Sequence, residues 1–285
     1  MTRPRATLIG FTAVLMWSLL AVFTVATAPV PPFLLNALTF AVGGAIGLVW
    51  VAFGAGFGSL RAVPWLVYAF GTAGLFGYHA LYFSALRLAP AAEAGLIAYL
   101  WPLLIVLFSG LLPGERLRAL HIAGAGLAFA GAALLVLRGG VDFAAGAVPG
   151  LVLAFLCAVT WAAYSVASRS LGRVPTESVA VFCLATAILS ALAHWLVETP
   201  AWPQGALGWL AVLGLGLGPV GLAFFTWDIG MKQGNIQMLG VASYAAPLLS
   251  TLALVAAGIA PATPTLMVAA LMITGGAVIA ARAGL

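Results

Sequence analysis

The sequence predicts an all-α membrane protein: ten transmembrane helices arranged as two five-helix inverted repeats around a central cavity. Three observations predict it. First, hydrophobic residues fill 64% of the 285 positions and charged residues 6%, with a mean hydropathy of +1.19; such a chain has too little polar surface to face water. Second, the stretch YFSALRLAPAAEAGLIAYLWPLL at 82–104 returns 145 residues later as WDIGMKQGNIQMLGVASYAAPLL at 227–249. Gly95 falls on Gly240, Tyr99 on Tyr244, Pro102 on Pro247, Leu103 and Leu104 on Leu248 and Leu249, and Arg87 on Lys232. Third, the basic residues sort to one side. With the N-terminus in the cytoplasm, Arg3, Arg5, Arg61, Arg116, Arg118, Arg169, Arg173, Lys232 and Arg282 lie inside and only Arg87 and Arg138 outside, which orients both termini inward. Five spans per repeat is an odd number, so the second copy must insert upside down relative to the first.

About 20 apolar residues cross the ~30 Å hydrocarbon layer. Runs of that length lie near 7–27, 32–53, 64–86, 91–111, 118–138, 146–168, 177–197, 206–227, 237–258 and 262–282. They are separated where Pro, Gly or charge interrupts: APVPP at 28–32, LAPA at 88–91, LPGERLR at 112–118, GRVPTE at 172–177 and ETPAWPQG at 198–205. The two repeats are therefore expected at 1–141 and 142–285, with no room for a soluble domain. The net charge of +5 and pI near 9.7 come from single and paired basic residues at helix ends, which read as topology signals and not as a nucleic-acid surface.

The first span resembles a signal peptide, with Arg3 and Arg5 ahead of it and VATA at 25–28, but its apolar run is longer than the 7–15 residues of an h-region; it is read as an uncleaved span. It carries Trp17 near its middle. The third span brings Tyr78, His79 and Tyr82 to a common face, with His79 about 12 Å and Tyr82 about 8 Å in from Arg87 at 1.5 Å per residue. Tyr99 and Trp101 follow in the fourth span and Trp161 in the sixth, at similar depth. Trp50, Trp65, Trp195, Trp202 and Trp209 sit instead at span ends, where an amphipathic ring belongs at the membrane surface. Tyr hydroxyls and an imidazole within hydrocarbon require hydrogen-bond partners, which a wet cavity supplies. Trp17, Tyr78, His79, Tyr82, Tyr99, Trp101, Trp161 and Tyr244 are accordingly the candidate substrate-binding residues.

Three prolines interrupt spans: Pro102 in the fourth, Pro219 within GLGLGPVG at 214–221 in the eighth, and Pro247 in the ninth. Each removes an amide donor, so all three are candidate hinges; for Pro219 close packing through small residues is the competing account. Gly124, Ala128 and Ala132 in the fifth span, with Gly275 and Gly276 in the tenth, mark a closely packed part of the bundle. Cys157 and Cys183 lie in different spans without CxxC spacing, and read as packing residues. No metal or other cofactor is expected.

The acidic residues narrow the substrate. Glu93 and Asp228 fall at helix ends, Glu115, Asp142 and Glu177 in loops, and Glu198 at an outer turn, so none is at mid-span. An exporter of cations needs a carboxylate deep in the membrane; a neutral or zwitterionic small molecule suits this chain better. An intramembrane enzyme would need a nucleophile and base or a metal cluster, and the sequence has no GxSxG or HExxH, with its three histidines in different spans. A lipid scramblase would present a polar groove to lipid. The expected partners are a small-molecule substrate and the bilayer, with no nucleic acid and no second copy required.

The five-plus-five spans, the ALRLAP turn at 85–90, Pro102 within the fourth span and PGERL at 113–117 together resemble the drug/metabolite transporter superfamily, and within it the EamA-type exporters. The resemblance covers essentially the whole chain, except that GIAPAT at 258–263 replaces the acidic turn in the second copy. It implies a multi-pass transporter of the inner (plasma) membrane. The aromatic-lined members, which export aromatic and other large neutral amino acids, are the most similar; export of another neutral or amphipathic metabolite or drug is the alternative.

Overall fold

The structure is a computed structural model. It describes every residue except 55, 138–144, 257, 259, 260, 284 and 285, so Arg138, Asp142, part of GIAPAT and the expected boundary between 141 and 142 lie outside the described residues. The described chain is helical throughout. The ten spans are α1 (Arg3–Ala26), α2 (Pro32–Phe53), α3 (Trp65–Leu88), α4 (Ala91–Ser109), α5 (Ala119–Val136), α6 (Val148–Leu171), α7 (Ser178–Val197), α8 (Gly205–Gln233), α9 (Ile236–Ala256) and α10 (Pro264–Arg282).

Nine of these are, among the described residues, long and apolar enough to cross a membrane. The tenth, α3, has the length but not the apolarity: its 24 residues include Tyr68, Tyr78, His79, Tyr82 and Ser84. The span left out is the one that turns Tyr78, His79 and Tyr82 inward, as a cavity wall must.

The duplication extends over the whole fold. The 145-residue offset carries Arg3–Ala26 onto Val148–Leu171, and the first residues of α4 and α5, Ala91 and Ala119, onto those of α9 and α10, Ile236 and Pro264. Both α4 and α9 are interrupted just ahead of their prolines, α4 between Ala98 and Trp101 and α9 between Ala242 and Ala245. Proline cannot donate to the carbonyl four residues back, and its ring crowds that carbonyl. The chain tightens there into i to i−3 bonds, from Leu100 N–H to Ile97 O and from Tyr244 N–H to Val241 O, both 3.1 Å.

The end of α8 departs from expectation. The sequence ends this span near 227 because Asp228 follows, but the helix runs on to Gln233. Asp228 and Lys232 lie one turn apart and form a buried ion pair of 2.8 Å, with Thr176 donating to Asp228 at 2.7 Å and Lys232 to the Val174 carbonyl at 3.0 Å. Paired charges do not oblige a helix to stop. Lys232 is thus a packing residue in the last turn of α8 rather than a charge in a loop.

Small residues set the closest helix contacts. A Cβ on Gly124 would lie 2.5 Å from the Gly276 carbonyl oxygen, so α5 and α10 meet backbone to backbone. Gly275 also meets α5 but less closely, an added Cβ lying 3.7 Å from the Leu127 side chain. Where α2 meets α8, a Cβ on Gly43 would lie 2.8 Å from the Cα of Gly221. Cys157 and Cys183 are buried and unbridged. Trp50, Trp65, Trp195, Trp202 and Trp209 are exposed on the outside of the bundle.

Candidate functional site

A cavity of about 810 Å³ opens among α1, α2, α3, α4, α6, α8 and α9. It reaches the surface along Thr24, Val25, Ala28 and Pro29, where α1 passes into α2. Trp17, Tyr78, His79, Tyr82, Tyr99, Trp101 and Trp161 all line it, as does Pro219. Seven of the eight aromatic candidates thus share one space, on four helices.

The floor is a layer of indoles. Trp17 lies 6.0 Å from Trp101 and 5.9 Å from Trp161 in edge-on geometry, and 5.1 Å from Trp227. Trp161 stacks on Trp227 at 6.3 Å. Edge-on and offset arrangements suit rings with negative faces and positive edges. Trp227 is 1% exposed and its Nε1 donates to Ser165 Oγ at 3.0 Å. Sequence reasoning missed Trp227 because it put the end of α8 there; the continuing helix makes it internal.

One wall is aromatic and polar together. Tyr78 stacks on Tyr82 at 6.2 Å and leans on Trp161 at 5.4 Å. The His79 ring stands edge-on to Phe40 at 5.1 Å, and Phe40 in turn stacks on Phe224 at 5.3 Å. Phe224, Asn36, Thr39 and Ser250 also line the cavity, the last three marked in the sequence only as polar residues within apolar runs; Phe40 is fully buried behind His79 and Phe224 and does not line it.

Tyr244 is the exception among the candidates. It is fully buried between α4, α5 and α9, 6.0 Å from Phe129, and does not line the cavity. Its hydroxyl accepts a hydrogen bond of 3.1 Å from the Leu103 backbone amide. That amide lies in the first turn of the helix that restarts at Trp101, where no intrahelical acceptor exists. The same residue type at equivalent positions therefore lines the cavity at Tyr99 and caps a broken helix at Tyr244.

Pro219 stands in a π-helical segment, Gly218–Leu222. Its carbonyl accepts a 2.9 Å hydrogen bond from Trp17 Nε1. A widened turn presents a backbone carbonyl inward, and here it fixes the indole at the centre of the floor.

Below that floor, Glu115 closes the end of the bundle that carries Arg3 and Arg282. Arg3 reaches both its oxygens at 3.0 Å, Arg169 donates at 2.5 Å and Gln237 Nε2 at 3.2 Å. Arg169 also donates to the carbonyls of Met231 at 3.1 Å and Gly234 at 2.7 Å. Burial alone would raise the Glu115 carboxyl, but Arg3, the Gln237 amide and Arg169 outweigh it and hold it below the usual range. At the open end, Glu198 accepts from the backbone amides of Phe33 at 2.9 Å and Leu34 at 3.2 Å, from His194 Nδ1 at 2.9 Å and from Arg87 at 3.3 Å. This carboxylate, on the first turn of α2, suits the positive end of that helix.

Comparison with known proteins agrees with this architecture. The EamA-like transporter family matches residues 4–137 and 148–282. The aromatic amino acid exporter YddG of Ancylobacter novellus is 60% identical over 283 residues, covering 98% of both chains. The exporter of the same name from Salmonella typhimurium is 28% identical over 88% of each chain, and that of Escherichia coli is 26% identical over 98% of this chain and 97% of its own. A solved structure described as the crystal structure of a protein superposes with a TM-score of 0.95 at 59% identity, covering 99% of each chain.

Proposed function

The chain belongs to the EamA-like transporter family, and on that premise we propose that it exports aromatic and other large neutral amino acids by alternating access. The observation that carries this reading is the cavity itself. At about 810 Å³ it falls in the range of small-molecule sites, it reaches the surface where α1 passes into α2, and its floor and one wall are aromatic faces. A side chain stacked there gains ~0.5–1.5 kcal/mol beyond burial, or about tenfold preference for an aromatic over a small side chain at a good contact. The described lining residues include no acidic side chain to hold a cationic one.

The charge asymmetry supports cytoplasmic termini in an inner (plasma) membrane, even with Arg3, Arg169 and Lys232 engaged in ion pairs, because Arg5, Arg61, Arg116, Arg118, Arg173 and Arg282 remain on that side. The cavity then faces outward and Glu115 seals the cytoplasmic end. Loading from the cytoplasm requires that Glu115 and Arg169 part and that the indole layer separates, with α4 and α9 bending at their interruptions beside Pro102 and Pro247.

Counterflow of labelled amino acids in proteoliposomes tests this. Phenylalanine, tryptophan and tyrosine are expected to exchange at least tenfold faster than lysine or a quaternary ammonium drug, and Trp101→Ala to slow aromatic substrates more than small ones. Lysine moving as fast as phenylalanine would overturn the reading.

A further inference from the structure

The polar atoms around the cavity divide by hydrogen-bonding character. The hydroxyls of Tyr78, Tyr82 and Tyr99 make no hydrogen bond to the described residues, and each can donate into the cavity. His79 differs. Its Nδ1 lies 2.7 Å from the Leu75 carbonyl oxygen, an atom that can only accept, so Nδ1 carries the proton and Nε2 of the neutral ring is an acceptor.

Asn36 supplies a second acceptor. It is 5% exposed, on the cavity side of α2, and its Nδ2 donates to Ser190 Oγ of α7 at 2.7 Å. Ser190 is itself fully buried, so it holds the amide plane from behind. Asn36 Oδ1 accepts nothing from the described residues and is not sealed from solvent; it opens into the cavity that Asn36 lines. Two ring contacts set its depth. Phe33 meets Phe83 at 5.4 Å and Phe40 meets His79 at 5.1 Å, so Asn36, between Phe33 and Phe40 on an antiparallel helix, stands between the levels of Phe83 and His79.

We propose that Asn36 is a specificity-determining residue, its Oδ1 together with His79 Nε2 accepting hydrogen bonds from the α-ammonium group of the substrate while the tyrosine hydroxyls donate to the carboxylate. This deepens the amino acid exporter reading and rests on it. An ammonium has three donors and no acceptor, and a carboxylate the reverse, so a wall divided in this way fixes the direction in which a zwitterion lies. It also separates amino acids from aromatic carboxylic acids of the same shape, which would leave both acceptors unpaired in a desolvated site.

The test uses the purified full chain in detergent. Binding of phenylalanine, of phenethylamine, which lacks the carboxylate, and of 3-phenylpropionate, which lacks the amine, is read by thermal stabilisation in the wild type, Asn36→Leu, Asn36→Asp and Ser190→Ala. Loss of a hydrogen bond to a charged group is expected to weaken phenylalanine and phenethylamine about tenfold in Asn36→Leu, while 3-phenylpropionate, relieved of an unpaired acceptor, is not weakened. Asn36→Asp keeps the acceptor and is expected to restore the amine, and Ser190→Ala to weaken it in the same direction by less. A selective loss of 3-phenylpropionate in Asn36→Leu would mean that the amide presents its NH₂, and would overturn the assignment. Equal loss of all three ligands, or no loss, would reduce Asn36 to packing and overturn it too. If Asn36→Leu does not fold, Asn36→Asp and Ser190→Ala decide by the same selectivity. Failure of wild-type phenylalanine counterflow is a separate outcome, which sinks the substrate reading and is read in a different assay.

Discussion

Glu115 and Glu198 are both nearly enclosed carboxylates that collect three or more donors, at opposite ends of the same bundle. Their effects differ because of what they join. Glu115, between α4 and α5, binds Arg3 at the start of α1, Arg169 in the last turn of α6 and Gln237 of α9, while Arg169 ties in the turn from α8 to α9. Those segments come from both repeats and surround the axis of the cavity, so the cluster closes it. Glu198, just past the end of α7, joins α2, α3 and α7, which already pack as one flank, and among the described residues it bonds to none of α1, α4, α8 or α9. That end stays open. The consequence of an ion cluster follows from the elements it connects, and its strength is secondary.

The largest expected effect breaks this contrast directly. Hydrogen bonds to a charged group contribute ~1.5–3 kcal/mol each, so Glu115→Gln is expected to raise the opening of the sealed end about tenfold or more. This is measured as the alkylation rate of a cysteine placed at Ser168, a buried position at that end, in a chain lacking Cys157 and Cys183. Glu198→Gln should leave that rate within about twofold, and equal effects from the two would erase the distinction.

The next effect separates the two arginines at the sealed end. Arg169 has a side chain 20% exposed and holds two carbonyls besides Glu115, whereas that of Arg3 is 51% exposed. An exposed pair contributes ~0–1 kcal/mol. Arg3→Ala should therefore speed labelling by no more than about fivefold, and Arg169→Ala by more, in the same assay.

The duplicated prolines sharpen the comparison between repeats. Pro102→Ala and Pro247→Ala restore the missing amides and are each expected to slow substrate exchange several-fold while leaving affinity within about threefold, because the contacts survive and the bending becomes costlier. Unchanged exchange in both variants and in the double variant would make the interruptions features of packing alone.

The smallest effect concerns acidity. The Glu115 carboxyl is held below its ordinary value, so the stability it gives the seal is present above the ordinary glutamate pKa of ~4.3 and is lost as pH falls through the lowered folded value. Labelling of a cysteine at Ser168, divided by that of a fully exposed cysteine at the same pH so that thiolate formation cancels, should be level between about pH 7 and pH 5 and rise only below about pH 4, and this rise should be missing in Glu115→Gln. A rise near neutrality would show that another group governs the seal.

The sequence by itself determined the membrane class, the order and approximate limits of the spans, the duplication and the depth of the aromatic residues. Each of these follows from the transfer free energy of successive residues or from chain distance along a helix, which are local quantities. Seven of eight aromatic candidates share one cavity for that reason: depth was legible, and mid-membrane aromatics tend to meet. Tertiary structure alone decided that Tyr244 turns away to cap α4 while its counterpart Tyr99 stays open, because equivalent positions in a duplicated chain face different neighbours once the helices are packed. It decided the fate of the charges as well. Asp228 was expected to end a helix and continues it, since Lys232 one turn on and Thr176 from another segment neutralise and bond it. Which end of the cavity is closed rests on the meeting of Glu115 with Arg169 and Gln237, residues far apart in the chain. Hydropathy and periodicity contain no term for such pairs; only the packed arrangement brings them within hydrogen-bond distance.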